Sequence, residues 1–135
     1  MKRKIEYAAL MGILLFVFWA GGAQAGPVWI CSITNAVECL DDGTVGEPDF
    51  GGLEPATFFR VDPDKKKITL LAPESRSGEI TVIDKVVEKD DMWVLTGIEA
   101  GRAWSMVISG EGYVTLSIAY DGVTWSAFGH SMLEE

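Results

Sequence analysis

Residues 103–128, AWSMVISGEGYVTLSIAYDGVTWSAF, decide the fold of this 135-residue chain. Apolar side chains alternate there with small or polar ones, and successive side chains of a strand point to opposite faces of a sheet. The period therefore predicts strands with one apolar face. Asp121-Gly122, between two such runs, is a strong signal for a β-hairpin. The alternating apolar residues are Trp104, Met106 and Ile108, then Val114, Leu116, Ile118 and Tyr120.

Similar runs precede this stretch, separated by short polar turns. They cover residues 57–62, 68–72, 79–89 and 92–98, and the third is expected to be one long strand with a bend near Asp84. Connections this short favour antiparallel neighbours. The sequence thus predicts an all-β fold, an antiparallel meander of about seven or eight strands after an N-terminal signal helix. Its apolar face would be covered by closure into a small curled barrel or by packing as a two-layer sandwich.

The N-terminus has the features of an export signal. Lys2, Arg3 and Lys4 precede an uncharged run over residues 7–23, which ends at Ala23-Gln24-Ala25, a small-x-small pattern. We expect cleavage after Ala25. The alternative is an uncleaved membrane anchor, although a spanning helix needs about 20 apolar residues.

Three regions follow from this division. Residues 1–25 are the predicted signal peptide, 26–56 a disulfide-tied N-terminal strand with a Gly/Pro-rich loop, and 57–135 the antiparallel β-domain. The loop is expected to be irregular over residues 34–55. Export leads to an oxidising compartment, so Cys31 and Cys39 are expected to form a disulfide.

The charge of the chain limits its partners. The net charge is −9, and without residues 1–25 it becomes −11, from 8 Lys and Arg against 19 Asp and Glu. Such an acidic domain is not expected to bind nucleic acid. It would contact a membrane only if the N-terminal segment is retained.

Catalytic and metal-binding motifs are missing from the sequence. The lone His130 lies near a C-terminal end that is expected to fray. Residues 41–47 are acidic but lack the spacing of a calcium loop. We expect no cofactor, no metal site and no enzymatic activity, although a hydrolase that uses paired carboxylates is an open alternative.

Arg102, Trp104 and Trp125 are the candidate ligand-binding residues. The segment Gly101-Arg102-Ala103-Trp104-Ser105 is echoed by Gly122-Val123-Thr124-Trp125-Ser126, 21 positions later. The two Trp residues would lie on strands that run the same way and form aromatic walls around an apolar ligand. Arg102 could bind a carboxylate or stack on a ring. The plainer interpretation is two core Trp residues and a surface Arg.

Three segments carry a resemblance to a group of proteins. They are residues 58–62 (FFRVD), 71–76 (LAPESR) and 101–105 (GRAWS). Over residues 57–130 the chain resembles small exported bacterial proteins of unknown function. The resemblance implies a bacterial periplasmic setting and says nothing about activity.

These observations favour a small exported, non-catalytic β-domain, periplasmic or secreted. It would bind an unknown protein or small ligand in the cell envelope. Two alternatives remain, a membrane-tethered accessory subunit with an uncleaved helix and the small hydrolase.

Overall fold

The computed structural model describes residues 25–48 and 57–135. The signal-peptide prediction for residues 1–24 and the predicted loop over residues 49–55 lie outside the described residues. Ten strands and one short 3₁₀ helix, Glu74–Arg76, make up the described elements. The strands are β1 (Trp29–Leu40), β2 (Val45–Gly46), β3 (Thr57–Asp62), β4 (Lys67–Ala72), β5 (Ile80–Val82), β6 (Lys85–Lys89), β7 (Met92–Glu99), β8 (Arg102–Ser109), β9 (Tyr113–Tyr120) and β10 (Val123–Leu133).

All ten strands belong to one antiparallel sheet. Its order is β5-β4-β3-β1-β10-β9-β8-β7-β6, with β2 paired to β1 off this path. The sheet curls into a half-barrel, which confirms the all-β antiparallel prediction and favours the curled form over two layers. The first and last strands of the order follow each other in the chain and are joined by Ile83 and Asp84 alone.

This junction brings the two edges of the sheet together. The Ile83 amide donates to the Lys66 carbonyl at 2.9 Å, on the side of β4, and the Asp84 amide donates to the Thr96 carbonyl at 2.9 Å, on the side of β7. Residues 79–89 thus bend at Asp84 as expected, but they form two strands, β5 and β6, at opposite edges of the sheet and not one long strand. One half of the segment completes each edge.

The core lies inside the curl of the sheet. The period-2 prediction for β8 is confirmed, since Trp104, Met106 and Ile108 are all at least nine-tenths buried. On β9, Val114 and Leu116 are also buried, whereas Tyr120 is 46% exposed and stands outside the core. The other large buried residues come from every side of the curl: Trp29, Ile33, Phe59, Val61, Ile68, Ile83, Leu95 and Trp125.

The predicted hairpin between β9 and β10 is present. Asp121 has φ of 34° and Gly122 has φ of 81°, so both central residues adopt left-handed backbone. Two left-handed residues match the twist of the flanking strands. This turn places Val123 opposite Tyr120 and aligns the inner faces of the two strands.

The prediction of an irregular loop from Thr34 onward is wrong for residues 34–40, which belong to β1. These residues pair with β10 as far as Leu40 opposite Val123. The register shifts between Ile33 and Asn35, so Thr34 is accommodated as a bulge.

The predicted Cys31–Cys39 disulfide is also contradicted, because both thiols are free. The two residues lie on the same strand, eight positions apart. At about 3.3 Å per residue this separates their Cα atoms by roughly 26 Å, whereas a disulfide needs less than about 7 Å. The short spacing that suggested a closed loop in fact belongs to an extended strand.

The C-terminal strand is longer than expected. It continues through His130 to Leu133, where the prediction had a frayed end. Its last residues pair with the beginning of β1, up to Trp29 opposite Leu133. Residues 25–48 and 57–135 contain no helix of the length and hydropathy needed to cross a membrane.

Candidate functional site

A cavity of about 540 Å³ opens at the end of the curl where β3 and β8 begin and β7 and β9 end. We call it the mouth cavity. Its volume falls within the range of small-molecule sites, about 300–1,000 Å³. It is lined by Thr57, Phe59, Ile68, Leu70, Arg76, Glu79, Ile80, Thr81, Glu99, Ala100, Arg102, Trp104, Met106, Leu116 and Ile118. The interior is therefore mainly apolar, and the charged residues come from strand ends and turns.

The register of three strands places the two candidate Trp residues in one row. Trp104 on β8 and Trp125 on β10 both lie opposite Ile118 on β9. Directly opposite residues of an antiparallel pair share a face, so all three side chains are on the inner face. Both Trp residues are 7% exposed. Trp104 lines the mouth cavity, whereas Trp125 is not part of its wall.

Arg102 lies at the rim of the cavity and contacts two aromatic rings. Its guanidinium carbon is 5.6 Å from the centre of the Tyr120 ring and 5.3 Å from the centre of the Trp125 ring. These distances are typical of cation–π contacts. Among the described residues no carboxylate oxygen lies within 4.0 Å of the Arg102 nitrogens. The two rings therefore hold the guanidinium in place without neutralising it.

Trp104 occupies space that a glycine leaves open. A Cβ atom on Gly97, opposite Trp104 on β7, would come within 2.6–2.8 Å of three atoms of the indole ring. The indole Nε1 of Trp104 is buried and is the one such side-chain polar atom of the described residues without a hydrogen-bond partner. The ring is thus fixed by shape, as one wall of the cavity.

The other charged groups of the rim are already paired. Arg76 makes hydrogen bonds of 2.6–3.1 Å to both carboxylate oxygens of Glu79, and these bonds lower the pKa of the Glu79 carboxyl. The Thr81 hydroxyl donates to the Glu99 carboxylate at 3.0 and 3.2 Å. Both acids therefore have polar partners on the β5 side of the cavity.

A hydrogen bond next to the cavity connects Trp125 to strand β1. The Trp125 indole Nε1 donates to the Glu38 carboxylate at 2.5 Å, and Glu38 lies directly opposite Trp125 in the sheet. This bond fixes the ring on which Arg102 stacks. It thereby connects the N-terminal strand to the position of the rim arginine.

Of the three residues singled out in the sequence, Arg102 and Trp104 line the mouth cavity. Trp125 contacts Arg102 but is not part of the wall, so only one of the two expected aromatic walls is present. Sequence reasoning missed Tyr120 as a partner of Arg102, and it missed the rim residues Arg76, Glu79 and Glu99. Arg76 and Glu79 have the (i, i+3) spacing of a local ion pair, which is a readable signal. Their position across the cavity from β8 depends on the curl of the sheet, which no local pattern encodes.

The remaining candidates are dispersed. His130 is exposed on β10, with its ring 5.5 Å from the ring of Tyr113. Asp42 accepts a hydrogen bond from the Thr44 amide at 2.8 Å within an exposed turn. No three His, Cys, Asp or Glu side chains within residues 25–48 and 57–135 are placed to hold a metal ion.

Three carboxyl groups have a shifted pKa, and the direction of the shift does not suit a general acid. The pKa values of Asp42, Asp62 and Glu79 are all lowered, whereas a carboxyl that donates a proton at neutral pH needs a raised pKa.

Comparison of the chain with protein-family models, curated proteins and solved structures finds no match. The geometry of the mouth cavity thus carries the functional argument.

Proposed function

We propose that this protein is a small exported β-domain that binds a small, largely apolar ligand with an anionic group in the mouth cavity. The observation that carries the proposal is Arg102, a cation held by two rings at the rim of an apolar cavity with no described carboxylate within 4.0 Å. A planar guanidinium suits a carboxylate or a similar anion. The apolar part of the ligand would lie against Phe59, Leu70 and Met106.

The charges of the rim support an anion rather than a cation. Glu79 is bonded to Arg76, and Glu99 accepts from Thr81. Arg102 is the rim charge without a hydrogen-bonded or ionic partner among the described residues. An anion at this position would gain a charge-assisted hydrogen bond without breaking an existing ion pair.

A binding assay with 8-anilinonaphthalene-1-sulfonate tests the proposal, because this fluorophore is apolar and anionic. We expect it to bind and to brighten. Dodecanoate should displace it at least tenfold more effectively than dodecanol, since only dodecanoate can pair with Arg102. Absence of binding, or equal displacement by the acid and the alcohol, would contradict the proposal.

Two matched variants locate the binding energy. Arg102→Gln removes the rim charge, and Lys85→Gln removes the same charge from the exposed strand β6, away from the cavity lining. We expect the dissociation constant to rise at least tenfold in the first variant, about 1.4 kcal/mol, and to stay within twofold in the second. Equal effects would mean that only net charge matters.

We also propose that residues 1–25 are a cleaved signal peptide and that the domain acts in the periplasm or outside the cell. The support is the basic start, the apolar run and the Ala23-Gln24-Ala25 pattern. Gly26 is suited to be a new N-terminus, because its nitrogen already donates to the Asp64 carboxylate at 2.7 Å. An α-ammonium group would form the same contact with a full charge.

Intact mass spectrometry of the protein from its native envelope fraction tests the export proposal. A chain that begins at Gly26 supports an exported domain. A chain that retains Met1 would contradict cleavage and would favour the tethered accessory subunit.

A further inference from the structure

A second concavity, which we call the base groove, lies at the opposite ends of the strands from the mouth cavity. Its volume is about 1150 Å³, roughly twice that of the mouth cavity. It is lined by Gly26, Pro27, Trp29, Asp64, Glu88, Asp90, Asp91, Met92, Trp93, Ser109, Gly110, Glu111, Gly112, Ser131, Met132 and Leu133. Apart from Asp64, this lining comes from the start of β1 with the residues before it, the β6–β7 hairpin, the β8–β9 turn and the end of β10.

The floor of the base groove is apolar. Trp29 and Trp93 meet edge to face, with ring centres 5.1 Å apart and planes at 68°. Leu133, directly opposite Trp29 in the sheet, is 60% exposed. Met92 and Met132 also line the groove and are exposed by 43% and 67%. Exposed large apolar side chains grouped around aromatic rings are typical of a surface that another molecule covers.

The rim of the base groove is acidic. Five carboxylates surround the floor, and no lysine or arginine is among the described residues that line it. None of the five forms an ion pair with a lysine or arginine of the described residues. Asp64 accepts a hydrogen bond from the Gly26 nitrogen at 2.7 Å and would pair with an ammonium group there. The five residues are Asp64, Glu88, Asp90, Asp91 and Glu111.

We infer that the base groove docks a cationic segment of a partner protein that carries apolar side chains between its Lys or Arg residues. Charge complementarity selects this occupant, because carboxylates on the rim would pair with the basic side chains. The aromatic and methionine floor would take the apolar side chains, and methionine adapts to irregular partners. The groove is open to solvent and is lined by several strand ends and turns, which leaves room for a peptide segment. This site is separate from the mouth cavity and does not depend on its ligand.

Fluorescence anisotropy with short labelled peptides tests the inference on the protein purified after expression of the full chain. The probes are peptides of alternating Lys and Leu, alternating Lys and Ser, and alternating Glu and Leu. We expect the Lys/Leu peptide to bind at physiological salt, the Lys/Ser peptide to bind at least tenfold more weakly and the Glu/Leu peptide not to bind. Failure of the Lys/Leu peptide to bind overturns the inference.

Two pairs of variants separate the groove from general acidity. Neutralising the rim in D90N/D91N/E111Q should weaken binding at least tenfold. The control D41N/D42N/E47Q makes the same charge change at exposed residues away from the groove and should leave binding within twofold. Met132→Ser on the floor should weaken binding, while Ile98→Ser, at an equally exposed apolar residue, should not. Equal losses within either pair would overturn the inference.

A further outcome would assign the groove to a different occupant. If sedimentation finds a dimer that the D90N/D91N/E111Q variant dissociates, the occupant is a second copy of this chain. That result overturns the inference of a partner protein.

Discussion

The indole nitrogen of Trp125 donates a hydrogen bond of 2.5 Å to the carboxylate of Glu38, a residue 87 positions earlier in the chain. The two residues face each other on β10 and β1, the pair of strands with the longest register in the sheet. Trp125 is also one of the two rings on which Arg102 stacks. The bond therefore connects the stability of the sheet to the geometry of the mouth cavity.

Glu38→Ala removes the acceptor of this bond. We expect the free energy of unfolding to fall by about 1–3 kcal/mol, because a partly buried hydrogen bond to a charged group is lost. Glu38→Gln is the control, since its amide oxygen can still accept, and we expect at least half of the loss to be recovered. Urea denaturation followed by Trp fluorescence measures both. Equal losses in the two variants would show that the hydrogen bond itself contributes nothing.

Gly129→Ala tests a close backbone approach between β10 and β1. A Cβ atom at this position would overlap the carbonyl oxygen of Ser32 on β1, and backbone cannot rotate away as a side chain can. We expect a loss of about 3 kcal/mol, at the upper end of the cost of overpacking. Gly46→Ala is the control, because no atom lies within 4 Å of its Cβ position. Thermal melts of both variants should differ clearly, and a wild-type melting temperature for Gly129→Ala would contradict the register of β1 and β10.

Thiol labelling distinguishes two free cysteines from a disulfide. Cys31 is fully buried, and burial raises the pKa of its thiol to about 12, so it is protonated at pH 8. Cys39 is half-buried and accessible. With 5,5′-dithiobis(2-nitrobenzoate) at pH 8 we expect one thiol to react in the native protein and two in denaturant without reductant. In the Cys39→Ser variant we expect no reactive thiol in the native protein and one in denaturant. If the thiols react only after a reductant is added, the two cysteines form a disulfide, and the finding of two free thiols is contradicted.

Asp62→Asn tests the one buried acid of the described residues. Burial by itself would raise the pKa of Asp62, but the Lys65 amide bond at 3.1 Å and the charges of Lys65 and Arg60 outweigh it, so the pKa is lowered. A lowered folded-state pKa adds stability above the unfolded value of about 3.9, and this stability is lost as the pH falls through the folded value. We expect Asp62→Asn to cost about 1 kcal/mol at pH 7.

The same comparison at low pH checks the sign of that effect. The difference between wild type and Asp62→Asn in urea denaturation should shrink between pH 4 and pH 2, because both proteins then have an uncharged residue at this position. Glu135→Gln, at an exposed end of the chain, is the control and should change stability by less than about 0.5 kcal/mol at either pH. A difference that stays constant with pH would mean that the charge of Asp62 contributes nothing.

Much of the sheet could be predicted from local pattern. The alternation over residues 103–120 predicts β8 and β9 with their buried faces, and Asp121-Gly122 predicts the turn into β10. Even the bend at Asp84 is readable, as a polar residue that interrupts a run of Ile and Val. These features depend on neighbouring residues in the chain, and a single sequence encodes them directly.

The errors concern contacts between distant parts of the chain. Residues 34–40 are predicted as part of the Gly/Pro-rich loop that follows them, yet they pair with β10 over the full length of β1. Once these residues form a strand, the Cys31–Cys39 bridge becomes impossible. The sequence pattern that locates Trp104 and Trp125 cannot predict that Arg76 and Glu79 lie at the same cavity. These two residues precede β5, which reaches the cavity only through the curl of the sheet.

The two-residue junction at Ile83 and Asp84 also bears on how this protein avoids aggregation. A long, flat, unpaired edge strand is a template on which strands of other chains can add. Here the edge strands have only three and five residues, β5 and β6, and the junction turns each of them toward the opposite edge. Lys85 and Lys89 add charge to β6, although Ile80 and Val82 leave β5 apolar and exposed. The same bend that shapes the interior thus restricts the strand surface open to intermolecular pairing.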